Sequence, residues 1–350
     1  MVKRLSVLIQ SHSREWLCCF IALVILAGCA GKNEPAKLSG ATMGTVWHLS
    51  YIPVETGPDE NELLMGIESA LERVDRSMST YRRDSEISYF NMTSPGKWFK
   101  PSGDFIEVMK TALDIGERSD GAYDVTVSPL VDLWGFGPDG VAGIPPSDSE
   151  VAQTMRLVGQ QNIELDPIQY RVRKSSMLAV DFSSLAKGYA VDQVADWLVS
   201  QGITRFMLEV GGEMRLSGLS ARDDPWRIAI EQPDSSERSV ATAISLTDVA
   251  LATSGDYRNY FESEGQRYSH TIDPRSGYPV EHDLVSVTVV HQSCMVADAW
   301  ATALIVLGHK RAMAVAKAEG LAVYFIRSVN GDFKHSHTAQ FSRYLDQQAL

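Results

Sequence analysis

Two hydrophobic periods alternate along this chain, and their interleaving limits its fold more than any other feature. From Met43 onward apolar and polar residues exchange at every step. Trp47, Leu49 and Tyr51 fall on one side and Val46, His48 and Ser50 on the other, the period of a half-buried strand. Asp59 then stands where a helix N-cap belongs, and Leu63, Ile67, Leu71 and Val74 follow at helical spacing. The same reading predicts helices over 103–118, near 148–157, and over 185–199, 295–307 and 311–319, the last stopped by Gly320. Between them it predicts a hairpin arm at 163–172 and a hairpin of 206–210 with 214–216 around Gly211-Gly212. Further strands are predicted at 226–230, 241–246, 284–290 and 321–326. Helices mixed with hairpin strands point to an α+β or mixed α/β architecture. No linker divides residues 41–330, so a single compact domain is expected there, followed by a loosely held C-terminal tail over 331–350.

The first 28 residues follow a different logic. Lys3, Arg4 and Arg14 carry the positive charge, and the apolar run 16–26 has the length of a signal h-region, short for a comfortable membrane span. It ends in Leu26-Ala27-Gly28-Cys29, which resembles the bacterial lipobox. On that reading residues 1–28 are a lipoprotein signal peptide, Cys29 carries the lipid, and the small, polar segment 29–40 is a tether. The protein is then expected to be membrane-anchored by its lipid and to face the periplasm, at the inner membrane of a Gram-negative bacterium. Cys18 and Cys19 would leave with the signal, so Cys294 would have no partner for an internal disulfide.

A net charge of −12 argues against a general nucleic-acid surface. A phosphate-rich ligand would need a local offset: a metal, a helix N-terminus or a few placed cations. Three segments could supply one. In Asp298-Ala299-Trp300-Ala301-Thr302 the i,i+4 spacing sets a carboxylate and a hydroxyl one turn apart, as hard oxygen ligands for Mg²⁺ or simply as a surface acid and a packed threonine. In Asp181-Phe182-Ser183-Ser184-Leu185-Ala186-Lys187-Gly188-Tyr189 a strand ends and a helix begins. Ser183 or Ser184 suits the N-cap, and Lys187 opposes the helix dipole unless its ammonium meets an anion. In the third, His270 precedes the turn Asp273-Pro274-Arg275-Ser276-Gly277 and could serve as a general base or a structural group. Tyr81, Tyr123, Trp134 and Met43 could stack on a planar ring or sit in the core. There is no P-loop, dinucleotide fingerprint, HExxH site or nucleophile elbow.

Taken in order, the segments resemble the ApbE family, the FAD:protein FMN transferases. The matching stretches are Gly40-Ala41-Thr42-Met43-Gly44-Thr45, Met78-Ser79-Thr80-Tyr81, Gly121-Ala122-Tyr123-Asp124-Val125-Thr126-Val127, and Trp134-Gly135-Phe136-Gly137. They continue with Asp181 to Gly188, Val210-Gly211-Gly212-Glu213, Ala252-Thr253-Ser254-Gly255-Asp256-Tyr257, His270-Thr271-Ile272-Asp273-Pro274 and Asp298 to Ala303. The resemblance implies an ApbE-like, T-fold-related domain that transfers FMN from FAD to a threonine hydroxyl of a target protein and releases AMP. It implies FAD contacts at Met43, Tyr81, Ala122, Tyr123, Asp124, Asp181, Lys187 and Ile272. It implies Mg²⁺ held by Asp298, Thr302 and oxygens of Ser184 and Ala186, with His270 as the base. The family often has Thr where this chain has Ser184, which keeps the hydroxyl, and Phe where it has Tyr123. The partners implied are flavin-carrying subunits of membrane redox complexes of the NADH:quinone reductase or Rnf type. Alternatives are an FAD pyrophosphatase and a non-catalytic flavin-binding lipoprotein.

Overall fold

The alternation around Trp47 becomes the second strand of an eight-stranded antiparallel sheet. In a computed structural model, which describes residues 34–137, 143–233, 239–255 and 260–345, the sheet runs β1 (Ala36–Thr42), β2 (Thr45–Tyr51), β3 (Phe206–Val210), β4 (Glu213–Ser217), β5 (Val249–Gly255), β6 (Leu284–His291), β7 (Ala322–Val329) and β8 (Asp332–His337). Its spatial order is its chain order, and every neighbouring pair is antiparallel. The sheet is therefore a meander into which helices are inserted. Between β2 and β3 come α1 (Glu60–Met78), α2 (Glu86–Met92), α3 (Gly103–Arg118), α4 (Ser128–Leu133), α5 (Asp148–Thr154) and α6 (Ala186–Ser200); α7 (Cys294–Ala318) follows β6. Helices inserted into an antiparallel sheet make this an α+β arrangement, as the mixed periods predict.

Local chemistry sets the helix ends. Asp59 and Glu62 form a reciprocal capping box, each carboxylate accepting the other's backbone N–H at 2.9 Å. The two late helices read from the sequence are the two halves of α7, separated at Gly308, whose φ of 69° and ψ of 157° are not helical.

The strand period divides the interior in two. Trp47, Leu49, Ala250, Ala252, Val287, Val289, Val323 and Phe325 face the helices and join Tyr189, Leu198 and Trp300 in the larger core. Leu251, Val290, Tyr324 and Ile326 face the opposite way, where a hairpin of Trp226–Glu231 and Val240–Leu246 covers them. Each core residue on one side thus fixes the register of the other.

Several expectations are corrected. The tether does not extend through residue 40: β1 starts at Ala36, because the turn at Met43 and Gly44, both at positive φ, folds it back onto β2. The segment after 331 is not loose over its described part. β8 pairs with β7, and a 3₁₀ turn at Ala339–Tyr344 drives Phe341 fully into the second core. The helices α2 and α4 and the strand β5 lie where no element was expected. The signal peptide, Cys29, residues 346–350 and the Asp256-Tyr257 end of one stretch lie outside the described residues. Among the described residues no helix is long and apolar enough to cross a membrane.

Cys294, the first residue of α7, is fully buried, and its thiol points at the Met214 carbonyl 3.5 Å away. Burial pushes that thiol well above the usual cysteine range, so it is both inaccessible and protonated. A protein lacking residues 1–29 is expected to show no reactive thiol by a colorimetric thiol reagent when folded and a single one in denaturant. Rapid labelling of the folded protein would mean that the start of α7 opens.

Candidate active site

The first turn of α6 meets the first turns of α7, and a glycine makes the contact possible. A Cβ on Gly188 would lie 2.5 Å from the Cys294 carbonyl oxygen and 2.8 Å from Met295 Cα. With hydrogen there instead, the Gly188 N–H donates to Asp298 Oδ2 at 3.1 Å. The same approach sets Lys187 Nζ 3.9 Å from Asp298 Oδ2 and 3.5 Å from Glu213 Oε1, at the start of β4. Both carboxylate side chains are 5% exposed and the lysine side chain 28%.

Two buried carboxylates share one ammonium. Burial pushes Asp298 above the ordinary carboxylate range, against the pull of Lys187 and the Gly188 hydrogen bond. Burial and the Asp298 charge push Glu213 up likewise, opposed by Lys187. For Lys187 burial disfavours the charge, but Asp298 and Glu213 more than offset it and hold the side chain protonated. The dipole conflict read from the sequence is resolved here, because the ammonium does meet anions. One polar atom stays unsatisfied: Glu213 Oε2 is buried without a hydrogen-bond partner, a costly condition unless something binds there.

Hydroxyls complete the surroundings. Thr302 Oγ1, one turn beyond Asp298, lies 3.3 Å from Ser254 Oγ on β5. The Tyr123 phenol lies 2.9 Å from Ser184 Oγ and is pushed far up by burial. The expected serine N-cap is not formed. The cap position of α6 is Leu185, with no side-chain cap; both serines precede it, the Ser184 hydroxyl lying against the Tyr123 phenol and the Ser183 N–H donating to Asp181 Oδ1 at 2.7 Å. Asp124 is tied to its own loop, accepting from Thr126 N and Oγ1 at 2.8 and 2.6 Å and from Gln160 N at 3.1 Å.

Three adjoining cavities, of about 220, 600 and 460 Å³, all border Ser183 and so form one groove. Tyr81, Ala122, Tyr123, Asp124 and Ile272 line the first. Met43, Asp181, Ala186 and Lys187 line the second, with Tyr81 again at its rim, 80% exposed. Ser184, Lys187, Glu213, His270, Asp298 and Thr302 line the third. Every residue that the sequence reading assigned to the flavin, the metal or the base borders this groove. Trp134 does not: it is buried, stacks on Tyr268 at 5.5 Å and donates its indole N–H to the Gly277 carbonyl at 2.8 Å. His270 is half-buried, with its ring edge-on to Phe136 at 6.3 Å.

Glu213, Ser254 and the Gly188 N–H are the groups that the sequence reading left without a role. The signal for Glu213 was an acid placed directly after an apolar strand and a Gly-Gly turn. Among the described residues no three His, Cys, Asp or Glu side chains gather as a metal cluster. The donors here are instead carboxylate, hydroxyl and main-chain oxygens.

The model of the ApbE family matches residues 43–325, a span that takes in the whole groove. The chain belongs to the ApbE family. It is similar to the FAD:protein FMN transferase of Vibrio cholerae, with 44% identity over 95% of this chain and 99% of the relative. The FAD:protein FMN transferase of Haemophilus influenzae is 40% identical over 91% of this chain and 94% of the relative. Among solved structures, the flavin transferase ApbE from Vibrio cholerae superposes with a TM-score of 0.83 at 43% identity, covering 89% of this chain and 99% of that one. The apo flavinyl transferase ApbE of Pseudomonas stutzeri gives a TM-score of 0.83 at 37% identity, covering 89% and 97%. The eight-stranded meander and its inserted helices are thus the ApbE fold.

Proposed function

We propose that this ApbE-family chain is an FAD:protein FMN transferase, which cuts FAD and joins its FMN half to a threonine of a partner protein through a phosphoester bond. One observation carries the reading. A chain whose near-full-length relatives bear that activity gathers a carboxylate pair, a charged lysine, several hydroxyls and a histidine around a single groove.

The roles follow from the geometry. Met43, Tyr81, Ala122, Tyr123, Asp124, Asp181 and Ile272 border the two cavities suited to the flavin and its ribityl chain. Lys187 meets the pyrophosphate as it meets Asp298 and Glu213 now. The residues present also suit a divalent cation: Glu213 Oε2 is buried without a hydrogen-bond partner, and the donors are all hard oxygens. Asp298, Thr302, the Ser184 hydroxyl and the Ala186 main chain would hold Mg²⁺. When bound, it neutralises phosphate charge and makes the phosphorus more electrophilic. His270 takes the proton from the threonine hydroxyl. The threonine oxygen forms a bond to the FMN phosphorus, the bond from that phosphorus to the bridging oxygen breaks, and AMP leaves with that oxygen. The chain mainly positions groups and stabilises charge.

The partners on this reading are flavin-accepting subunits of membrane redox complexes of the NADH:quinone reductase or Rnf type. A lipid on Cys29 would hold the enzyme at the periplasmic face of the inner membrane, beside such acceptors. The test mixes protein lacking residues 1–29 with FAD, Mg²⁺ and a protein bearing a Ser-Gly-Ala-Thr segment. An acceptor mass gain of one FMN with equimolar AMP is expected. AMP without a mass gain would make the protein an FAD pyrophosphatase, and stable FAD retention with neither product a flavin carrier.

A further inference from the structure

The sheet has a gap beside the groove. The β4–β5 register ends at Met214 opposite Leu251, because the chain turns away at Gly211 and Gly212, with φ of 59° and 105°. The β5–β6 register continues four residues further, to Gly255 opposite Ser286. From Ala252 to Gly255, β5 therefore has a strand on one side only, and on the other side alternate N–H and C=O groups face outward unpaired by any described strand. At the turn, a Cβ on Gly212 would meet no atom of the described residues within 4 Å.

This edge joins two cavities. Gly211, Thr253 and Gly255 border the third cavity of the groove, which holds Lys187, Asp298 and His270. The same three residues border a slot of about 410 Å³ on the opposite face of the sheet, lined by Met214, Ile228, Ile230 and Leu251 together with Glu231 and Ser286. Side chains of β5 already obey the split. Ser254 points to the groove and meets Thr302 at 3.3 Å, while Thr253 points the other way and meets Thr288 at 2.9 Å.

Resting on the transferase reading above, we propose that the acceptor segment binds as an added strand along Ala252–Gly255. Pairing in an extended conformation turns the acceptor threonine towards Lys187, Asp298 and His270. Strand alternation then turns the residues on either side of it into the slot, whose limited volume favours small side chains there. Main-chain hydrogen bonds supply the affinity, and the slot supplies the sequence preference. The continuity of edge, groove and slot selects this occupant: an extended chain threading the gap reaches both cavities at once, whereas a helix about 10 Å across would not enter a single strand's place.

The test uses a series of synthetic acceptor peptides containing Ser-Gly-Ala-Thr, each carrying one N-methyl group at successive positions around the threonine, with the unaltered enzyme, FAD and Mg²⁺. Strand addition predicts an alternating pattern. Methylation at every second amide raises the acceptor KM at least tenfold, methylation at the amides between leaves it near that of the parent peptide, and the KM for FAD is constant throughout. A uniform response, or none, would overturn the edge proposal while leaving the transferase reading intact. So would failure of the parent peptide when the intact acceptor protein is flavinylated. Failure of both peptide and protein acceptors would overturn the transferase reading, and the edge proposal with it.

Discussion

Asp298→Asn is expected to lower FMN transfer by about a thousandfold at saturating Mg²⁺, equivalent to roughly 4 kcal/mol in the transition state, without unfolding the protein. The substitution removes the charge and little else. Asparagine has the same shape, and its amide oxygen can still accept the Gly188 N–H that now reaches Asp298 Oδ2 at 3.1 Å. The helix contact survives, but the cluster loses one of its two carboxylates. One carboxylate, Glu213, then faces Lys187 in place of two. On the proposed assignment a hard cation would lose its anionic ligand, and the phosphoryl group the charge stabilisation it supplies. Steady-state AMP release and acceptor flavinylation over a magnesium titration, with a melting curve as the control for folding, would decide it. A variant that melts like the parent and keeps more than a tenth of its activity would sink the metal assignment. Thr302→Val should behave as a weaker version, about tenfold, because it removes a neutral ligand and frees Ser254 from a 3.3 Å contact.

The parts of this molecule that were legible in its sequence are those determined locally. α1 announces itself because Leu63, Ile67, Leu71 and Val74 are all buried on one stripe and Asp59 closes a capping box with Glu62, three residues later. Asp298 and Thr302 could be paired from the helical repeat alone. β5 was missed for an equally physical reason. In its first four residues, Val249 to Ala252, both faces are buried, so the run is continuously apolar and carries no alternation to read. The short α2 offers only Ile87 and Phe90 as buried residues, too few for a period, although Ser85 caps it. The serine cap of α6 failed because the cap position is Leu185, and the Ser184 hydroxyl before it lies against the distant Tyr123. Glu213 is the clearest case at the site. Its partner Lys187 is brought to it by the packing of α6 against the sheet, a relation that no local pattern encodes. Lys187 itself did leave a trace, as a cation placed against its own helix dipole.

The same packing makes Gly188 the position where a single methyl group should cost most. Gly188→Ala is expected to destabilise the fold by roughly 3 kcal/mol and to abolish most transfer activity in the protein that remains folded. Helix propensity alone points the other way, since alanine in a helix interior gains about 1 kcal/mol over glycine. The local gain is outweighed because the added Cβ would sit 2.5 Å from the Cys294 carbonyl oxygen, 2.7 Å from its carbonyl carbon and 2.8 Å from Met295 Cα. Those atoms are backbone at the start of α7, held by the Asp192 carboxylate, which accepts the Cys294 and Met295 N–H groups at 2.9 and 3.1 Å. No side chain can swing aside, so the two helices must separate. Separation lengthens the Gly188–Asp298 hydrogen bond and draws Lys187 away from Asp298, which couples the loss of stability to a loss of chemistry. Gly103→Ala serves as the comparison. Gly103 opens α3 at an ordinary φ, its added Cβ would lie 3.7 Å from Tyr170, and that substitution should be neutral or slightly stabilising. Urea unfolding of both variants, with FMN transfer measured under native conditions, separates the two effects. If Gly188→Ala unfolded at the same urea concentration as the parent and kept full activity, the close approach of α6 and α7 would not be what assembles the site.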